Sequence, residues 1–128
     1  MEPGKKYLGV EDSVAPPPIL KGFEVFATKV SFMNEFRLLS DQLNCNWDDV
    51  LNGFISDGRI GNSHIDVPGH DGDRGFGGKC FPKDINAMIQ CFAENNIEPM
   101  LLNAAWERNK KVRTKIDWAK IKGAVSDE

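Results

Sequence analysis

The chain has 128 residues, 41% hydrophobic and 27% charged, enough to bury a single core. A formal net charge of -3 gives no electrostatic footprint for nucleic acid, and no apolar run approaches the roughly 20 residues that span a bilayer, so neither is expected as a partner. The first residues, "MEPGKKYLGVEDSVAPPP", lack the apolar segment of a secretory signal.

Residues 1–18 hold four of the seven prolines and end in Pro16-Pro17-Pro18, so they read as an irregular lead. From Ile19 to Leu43 the spacing predicts one long helix. One apolar stripe runs Phe23, Phe26, Val30, Met33, and a second runs Val25, Phe32, Phe36, Leu39, Leu43. Two apolar faces call for two packing partners, the helix's own domain and a second copy of the chain, so a homodimer through residues 19–43 is expected. Asn46 suits the N-cap of a short helix from Trp47 to Ser56, with Asp48 and Asp49 at its positive end.

Seven of the twelve glycines then fall between Gly58 and Gly78, and so long a loop inside a compact domain tends to be functional. Pro82 stands where a first helical residue would, followed by Ile85, Met88, Ile89 and Phe92 at helical steps. Pro99 opens a fourth helix through Leu101, Leu102, Ala105 and Trp106, and the basic residues from Arg108 to Lys115 suit its negative end. No run alternates with period two. The expected fold is all-α, a long central helix and three shorter ones around a long glycine-rich loop.

Three cysteines, Cys45, Cys80 and Cys91, are an odd number at spacings that fit neither a disulfide framework nor a zinc site. They are read as free thiols of a reducing, cytoplasmic compartment. Cys80 differs from the other two. It lies just before the expected helix start, where the free N–H groups favour a thiolate, and Lys79 and Lys83 flank it. That is a nucleophile's setting; the competing reading is a small buried residue that happens to precede a helix.

Two phosphate motifs fail here. A dinucleotide fingerprint starting at Gly75 would need a third glycine at Cys80 and a preceding strand, and "GGKC" has Asp73 where a P-loop begins. His64, Asp66, His70, Asp71 and Asp73 have ligand chemistry, but aspartates in glycine-rich loops also form turns, and that reading is preferred to a metal site.

The stretch "GFGGKCFPKD" resembles the active-site signature of the UDP-glucose 6-dehydrogenase family, the nucleotide-sugar dehydrogenases. "ATKVSFMNEF" is similar to that family's central helix, "DGRIGNSHIDVPGHDGDRGFGG" to its substrate loop, and "NAAWERNKKVR" to the helix that follows, so the resemblance covers residues 25–115. It implies a twofold, NAD-dependent oxidation of the C6 alcohol of UDP-glucose, or a related sugar nucleotide, to a carboxylate. Cys80 would be the nucleophile that carries a thioester, Asp84 would hold the hydrolytic water, and Lys83 would lie near the NAD phosphates. Arg59 would reach across a dimer interface to the substrate. The segment Asp71, Gly72, Asp73, Arg74, Gly75, Phe76, Gly77 would enclose the sugar nucleotide.

The chain departs from the family in one place and covers only part of it. A K-Y-x-x-N pattern belongs where "PPPILKGFEVFATKVSF" stands; its lysine and asparagine fall on Ile19 and Phe23, so neither role is carried over. Residues 19–128 resemble the central dimerisation and substrate-loop domain, without the family's NAD-binding and carboxy-terminal domains. A separate NAD-binding chain, or a non-catalytic dimerisation module that keeps the loop as a relic, would each fit that pattern. An unrelated cysteine hydrolase would need His64 or His70 as a base beside Cys80.

Overall fold

A computed structural model describes Gly22 and residues 24–120. The proline-rich lead and the expected helix start at residues 19–21 and 23 lie outside them. Among the described residues there are four α-helices and no strand: α1 (Glu24–Gln42), α2 (Trp47–Ile55), α3 (Cys80–Glu94) and α4 (Met100–Val112), followed by a short 3₁₀ turn at Asp117–Lys120. None of these helices is long and apolar enough to cross a membrane.

The central helix packs against the other three, most extensively on α4. Small side chains make that crossing close: Ala27 and Ser31 face Ala105, and Ser31 Oγ donates to the Ala105 carbonyl at 2.7 Å. Around it the main core gathers Ala27, Phe76, Ile85, Ala105, Trp106 and Trp118, so loop, helices and 3₁₀ turn close on one another. A second cluster, Met33, Ile65 and Val67, takes its outer wall from Trp47, Leu51, Phe54 and Ile55 of α2.

The element order is the expected one, with shifted boundaries. Among the described residues α1 begins at Glu24, just after Gly22, whose φ of +83° no helix continues through. Asn46 caps α2 as expected, its side chain accepting from the Asp49 N–H at 3.0 Å, but the helix ends one residue early at Ile55. α3 begins at Cys80 itself, with Pro82 as its third residue rather than its first. Proline is tolerated there because first-turn N–H groups have no intrahelical acceptor; the first helical bond is Lys83 N–H to the Lys79 carbonyl at 3.1 Å.

On α1 the two apolar stripes have different fates. Of the first, Met33 is buried, Val30 half-buried and Phe26 exposed, with Phe23 outside the described residues; of the second, Val25, Phe32, Phe36, Leu39 and, one residue past the helix end, Leu43 are all exposed. On α4 the inward stripe is Leu102, Ala105, Trp106 and Asn109, and Leu101, read from its periodicity as part of the apolar face, is 79% exposed.

Candidate active site

Residues 56–79, between α2 and α3, form the site's scaffold and contain neither helix nor strand. The segment is held by aspartates that bond nearby backbone, as expected of turn formers. Asp57 Oδ1 accepts from the Arg59 N–H at 3.0 Å and Asp71 Oδ1 from the Asp73 N–H at 3.1 Å. The turn from Gly69 to Asp73 closes through Gly69 N–H to the Asp73 carbonyl and Gly72 N–H to the Gly69 carbonyl, both 3.0 Å, with Gly72 at φ +79°.

Beyond the turn the loop is fastened by polar side chains from elsewhere in the fold. Asp73 is buried and accepts the N–H groups of Arg74 (2.8 Å), Thr114 (3.1 Å) and Lys115 (2.8 Å). Burial alone would raise its pKa, but the Lys115, Thr114 and Arg74 donors prevail and hold the carboxyl below its ordinary value. Arg113, its side chain 1% exposed, donates to Asp71 Oδ2 at 2.6 Å, Asp117 Oδ2 at 3.3 Å and the Lys115 carbonyl at 2.9 Å. It also lies 3.5 Å from Asp73. Its hydrogen bond lowers the Asp71 pKa, and the three carboxylates together outweigh burial to raise its own.

Two buried asparagines complete the clamp. Asn34 Oδ1 accepts from Gly75 N–H at 3.0 Å; Asn109 Oδ1 accepts from Phe76 N–H at 2.6 Å while its Nδ2 donates to the Phe76 carbonyl at 2.9 Å. Gly78 N–H donates to Asp117 Oδ1 at 3.0 Å. The glycines are sterically required here. A Cβ on Gly75, already at φ +72°, would strike Asn109, and one on Gly77 would strike Arg113 and Asp117.

The loop delivers the chain to α3. Cys80, its first residue, is exposed; Asp84 is half-buried one turn further along the same face, and Lys83 is exposed beside them. The next residue, Phe81, forms part of the wall of a cleft of about 480 Å³ that also takes in Val30, His64, His70, Asp71, Gly75 and Phe76. His64 stacks on Phe26 at 4.6 Å between ring centres and lies 5.6 Å from Phe81. No hydrogen bond joins Cys80 to His64 or His70 among the described residues, and no three of their His, Cys, Asp and Glu side chains gather to hold a metal.

The expected site residues are therefore divided among several settings. Asp71, Gly75 and Phe76 line the cleft. Asp73 and Gly77 belong to the buried fastening, Gly72 to the turn, and Arg74 pairs with Asp41 on α1 at 2.7 Å. Cys80, Lys83 and Asp84 share the first turn and a half of α3, while Arg59 is 88% exposed with its guanidinium on Asp57 at 2.6 Å. A larger apolar groove of about 860 Å³, between the first half of α1 and facing parts of α3 and α4, contains none of them.

Residues 24–111 match the model of the UDP-glucose/GDP-mannose dehydrogenase family, central domain. The chain belongs to this family. It is 39% identical over 85 residues to a UDP-glucose 6-dehydrogenase of Pseudomonas aeruginosa, an alignment covering 66% of this chain and 18% of that protein. It is 34% identical over 112 residues to one from Rickettsia felis, covering 87% and 24%, and 33% identical over 90 residues to one from Bacillus subtilis, covering 70% and 18%. The chain thus spans under a quarter of the length of these relatives. No solved structure matches it. The family match takes in Cys80, Asp84, Asn34 and Asn109, and stops short of Arg113 and Asp117.

The asparagines, Arg113 and Asp117 went unread in the sequence. Arg113 sits in a basic run that suits a solvated helix end, and nothing in its spacing separates it from Lys110 and Lys111. The usable signal was Asn109, a polar residue in register with Leu102, Ala105 and Trp106.

Proposed function

We propose that the chain is the central, dimerising and substrate-loop portion of a UDP-glucose 6-dehydrogenase, with Cys80 as the nucleophile of the second oxidation. The observation that carries this reading is the exposed Cys80 opening α3 at the edge of the loop-lined cleft, with Asp84 one turn on. The N–H groups of a helix's first turn favour anionic sulfur, and glycine backbone lets a ligand approach closely. The thiolate adds to the C6 aldehyde of the sugar nucleotide, forming a C–S bond as the carbonyl oxygen takes up a proton. Loss of hydride from C6 and of that proton leaves a thioester. Water held by Asp84 then attacks the thioester carbon, and the C–S bond breaks to release carboxylate and thiolate.

NAD, when bound, supplies the hydride acceptor for both oxidations. Of the described residues, Lys83 on the N-terminal turn of α3 fits an NAD phosphate, a cation beside free N–H groups. The rest of the cofactor site belongs to another domain or a separate NAD-binding chain. The cleft lined by Asp71, Gly75 and Phe76 takes the sugar nucleotide, UDP-glucose or a relative. The exposed stripe of α1 takes a second copy of the chain, and Arg59, free of the core, reaches toward the partner's substrate.

The test is protection of thiols from iodoacetamide, read at each cysteine by mass spectrometry. The C6 aldehyde of UDP-glucose should slow alkylation of Cys80 at least tenfold and leave Cys45 and Cys91 unchanged. Equal rates at Cys80 with and without the aldehyde would overturn the assignment.

A further inference from the structure

The glycine-rich approach to Cys80 poses a physical problem. Glycine backbone loses the most freedom on folding, yet a nucleophile must be held in place. In this chain the solution comes from outside the loop. The N–H groups of Gly75, Phe76 and Gly78 are each bound by a side chain of another element: Asn34, Asn109 and Asp117 respectively, at 2.6–3.0 Å. Asn109 also holds the Phe76 carbonyl, and it is fully buried, as is the side chain of Arg113, which ties Asp117 to Asp71 and Asp73. Buried polar groups so fully paired act as one rigid unit.

Gly78 is two residues before Cys80, so Asp117 fastens the chain immediately ahead of the helix start, and Lys79, the N-cap residue, has no side-chain cap bond of its own. What α3's first turn lacks locally, the segment after α4 supplies. Arg113 and Asp117 also lie outside the stretch matched by the family model, which ends at Lys111.

We infer that Asn109, Arg113 and Asp117 are positioning residues for Cys80, fixing through the Phe76–Gly78 backbone the start of the helix that carries the thiol. The inference rests on the proposed role of Cys80 as nucleophile. None of the three lines the cleft; they act through the loop. Loosening the clamp frays the first turn of α3, and a thiol that loses its place at a helix N-terminus is in general a weaker nucleophile, so Cys80 should react more slowly. Unfolding does the opposite to a half-buried thiol such as Cys91, which becomes more accessible. The two effects thus move the ratio of the rates at Cys80 and Cys91 through different cysteines.

The test uses the full chain and three variants, Asn109→Asp, Arg113→Lys and Asp117→Asn. Asn109→Asp keeps the acceptor for Phe76 N–H and loses the donor to its carbonyl. Asp117→Asn keeps an acceptor for Gly78 N–H and weakens the pairing to Arg113 at a half-buried site, so it keeps the test open if the other two fail to fold. Hydrogen exchange reads the amides of residues 75–83 and of α1 separately, and iodoacetamide reads each cysteine.

The expected result is at least tenfold faster exchange at Gly75, Phe76 and Gly78 with α1 unchanged, and at least a threefold fall in Cys80 alkylation with Cys91 unchanged. Asp117→Asn should show the smallest change. Faster loop exchange with an unchanged Cys80 rate would overturn the inference, as would unchanged loop exchange. If wild-type Cys80 gains no protection from the sugar-nucleotide aldehyde, the nucleophile role falls on its own measurement; the effect of the clamp on Cys80 is still read in the variants.

Discussion

The loop from Gly69 to Gly78 and the outward face of α1 invert the usual distribution of polar and apolar groups. The loop region buries Asp73, Asn109 and Arg113, while α1 exposes Val25, Phe32, Phe36 and Leu39, with exposed Leu43 just past its end. Buried polar atoms are tolerable only when every one is paired, and those three side chains are. Large contiguous apolar surface is tolerable only when something covers it. One region is therefore completed by side chains of the described fold, and the other is, on our proposal, covered by a second copy of the chain.

The sharpest way to break this contrast is to remove the centre of the buried network. Arg113→Met keeps the volume and leaves Asp73 and its neighbours without their counter-charge. Stripping one partner from a buried ionic cluster costs about 3 kcal/mol, here at the low end because Asp73 retains its N–H donors. The urea midpoint should fall by roughly 2 M at the slope usual for a domain of this size. An unchanged midpoint would mean that the loop is held by its apolar contacts alone. Asn109→Leu is the neutral counterpart. It orphans the Phe76 N–H and carbonyl together and should cost about 2 kcal/mol by the same measurement.

The two regions also differ in how much of them could be read in the sequence. Helical periodicity gave the elements and the apolar excess of α1, because side-chain spacing along a helix is a local property. The candidate site residues at the junction of the loop and α3 stood out as a motif, since glycine, cysteine, lysine and aspartate sit within a few positions. The clamp was not, because its halves are far apart: Asn34 meets Gly75 across 41 positions and Asn109 meets Phe76 across 33. A buried Arg113 and a solvated one look alike until Asp71, Asp73 and Asp117 are brought around it. Leu101 failed for a related reason: it and Leu102 are equally apolar neighbours in the sequence, and only the packing of α4 turns Leu102 toward the core and Leu101 away from it.

Acid offers a graded version of the first test. The folded pKa values of Asp71 and Asp73 both lie below the ordinary carboxylate value of 3.8, the first mainly through Arg113 and the second through backbone donors that outweigh burial. A carboxyl whose folded pKa is depressed binds protons more readily when unfolded. Its stabilisation is therefore present above 3.8 and is lost as pH falls through the folded values. The urea midpoint should hold from pH 7 to about 5 and decline below about 4. In Asp73→Asn, less stable at the outset, that decline should be shallower. An equally steep fall in the variant would place the acid sensitivity elsewhere, for instance at Asp41, whose pKa Arg37 and Arg74 lower.

On the α1 side the smallest change in stability should accompany a complete change in assembly. Leu39 is 53% exposed, and an exposed position away from buried networks usually tolerates substitution within about 0.5 kcal/mol. Leu39→Asp should therefore leave the unfolding midpoint almost where it was. A stable interface buries about 800 Å² on each partner, and a charge at its apolar centre has no water to solvate it. Phe32, Phe36 and Phe54 already pack ring against ring, with centres 4.8 to 6.2 Å apart, and Leu39 lies one turn along α1 from Phe36; side chains already packed together lose less freedom on docking. Sedimentation at micromolar concentration should accordingly find the wild-type chain as a dimer and Leu39→Asp as a folded monomer. A wild-type monomer under those conditions would sink the homodimer and leave the face to another partner. A Leu39→Asp dimer would move the interface off this stripe.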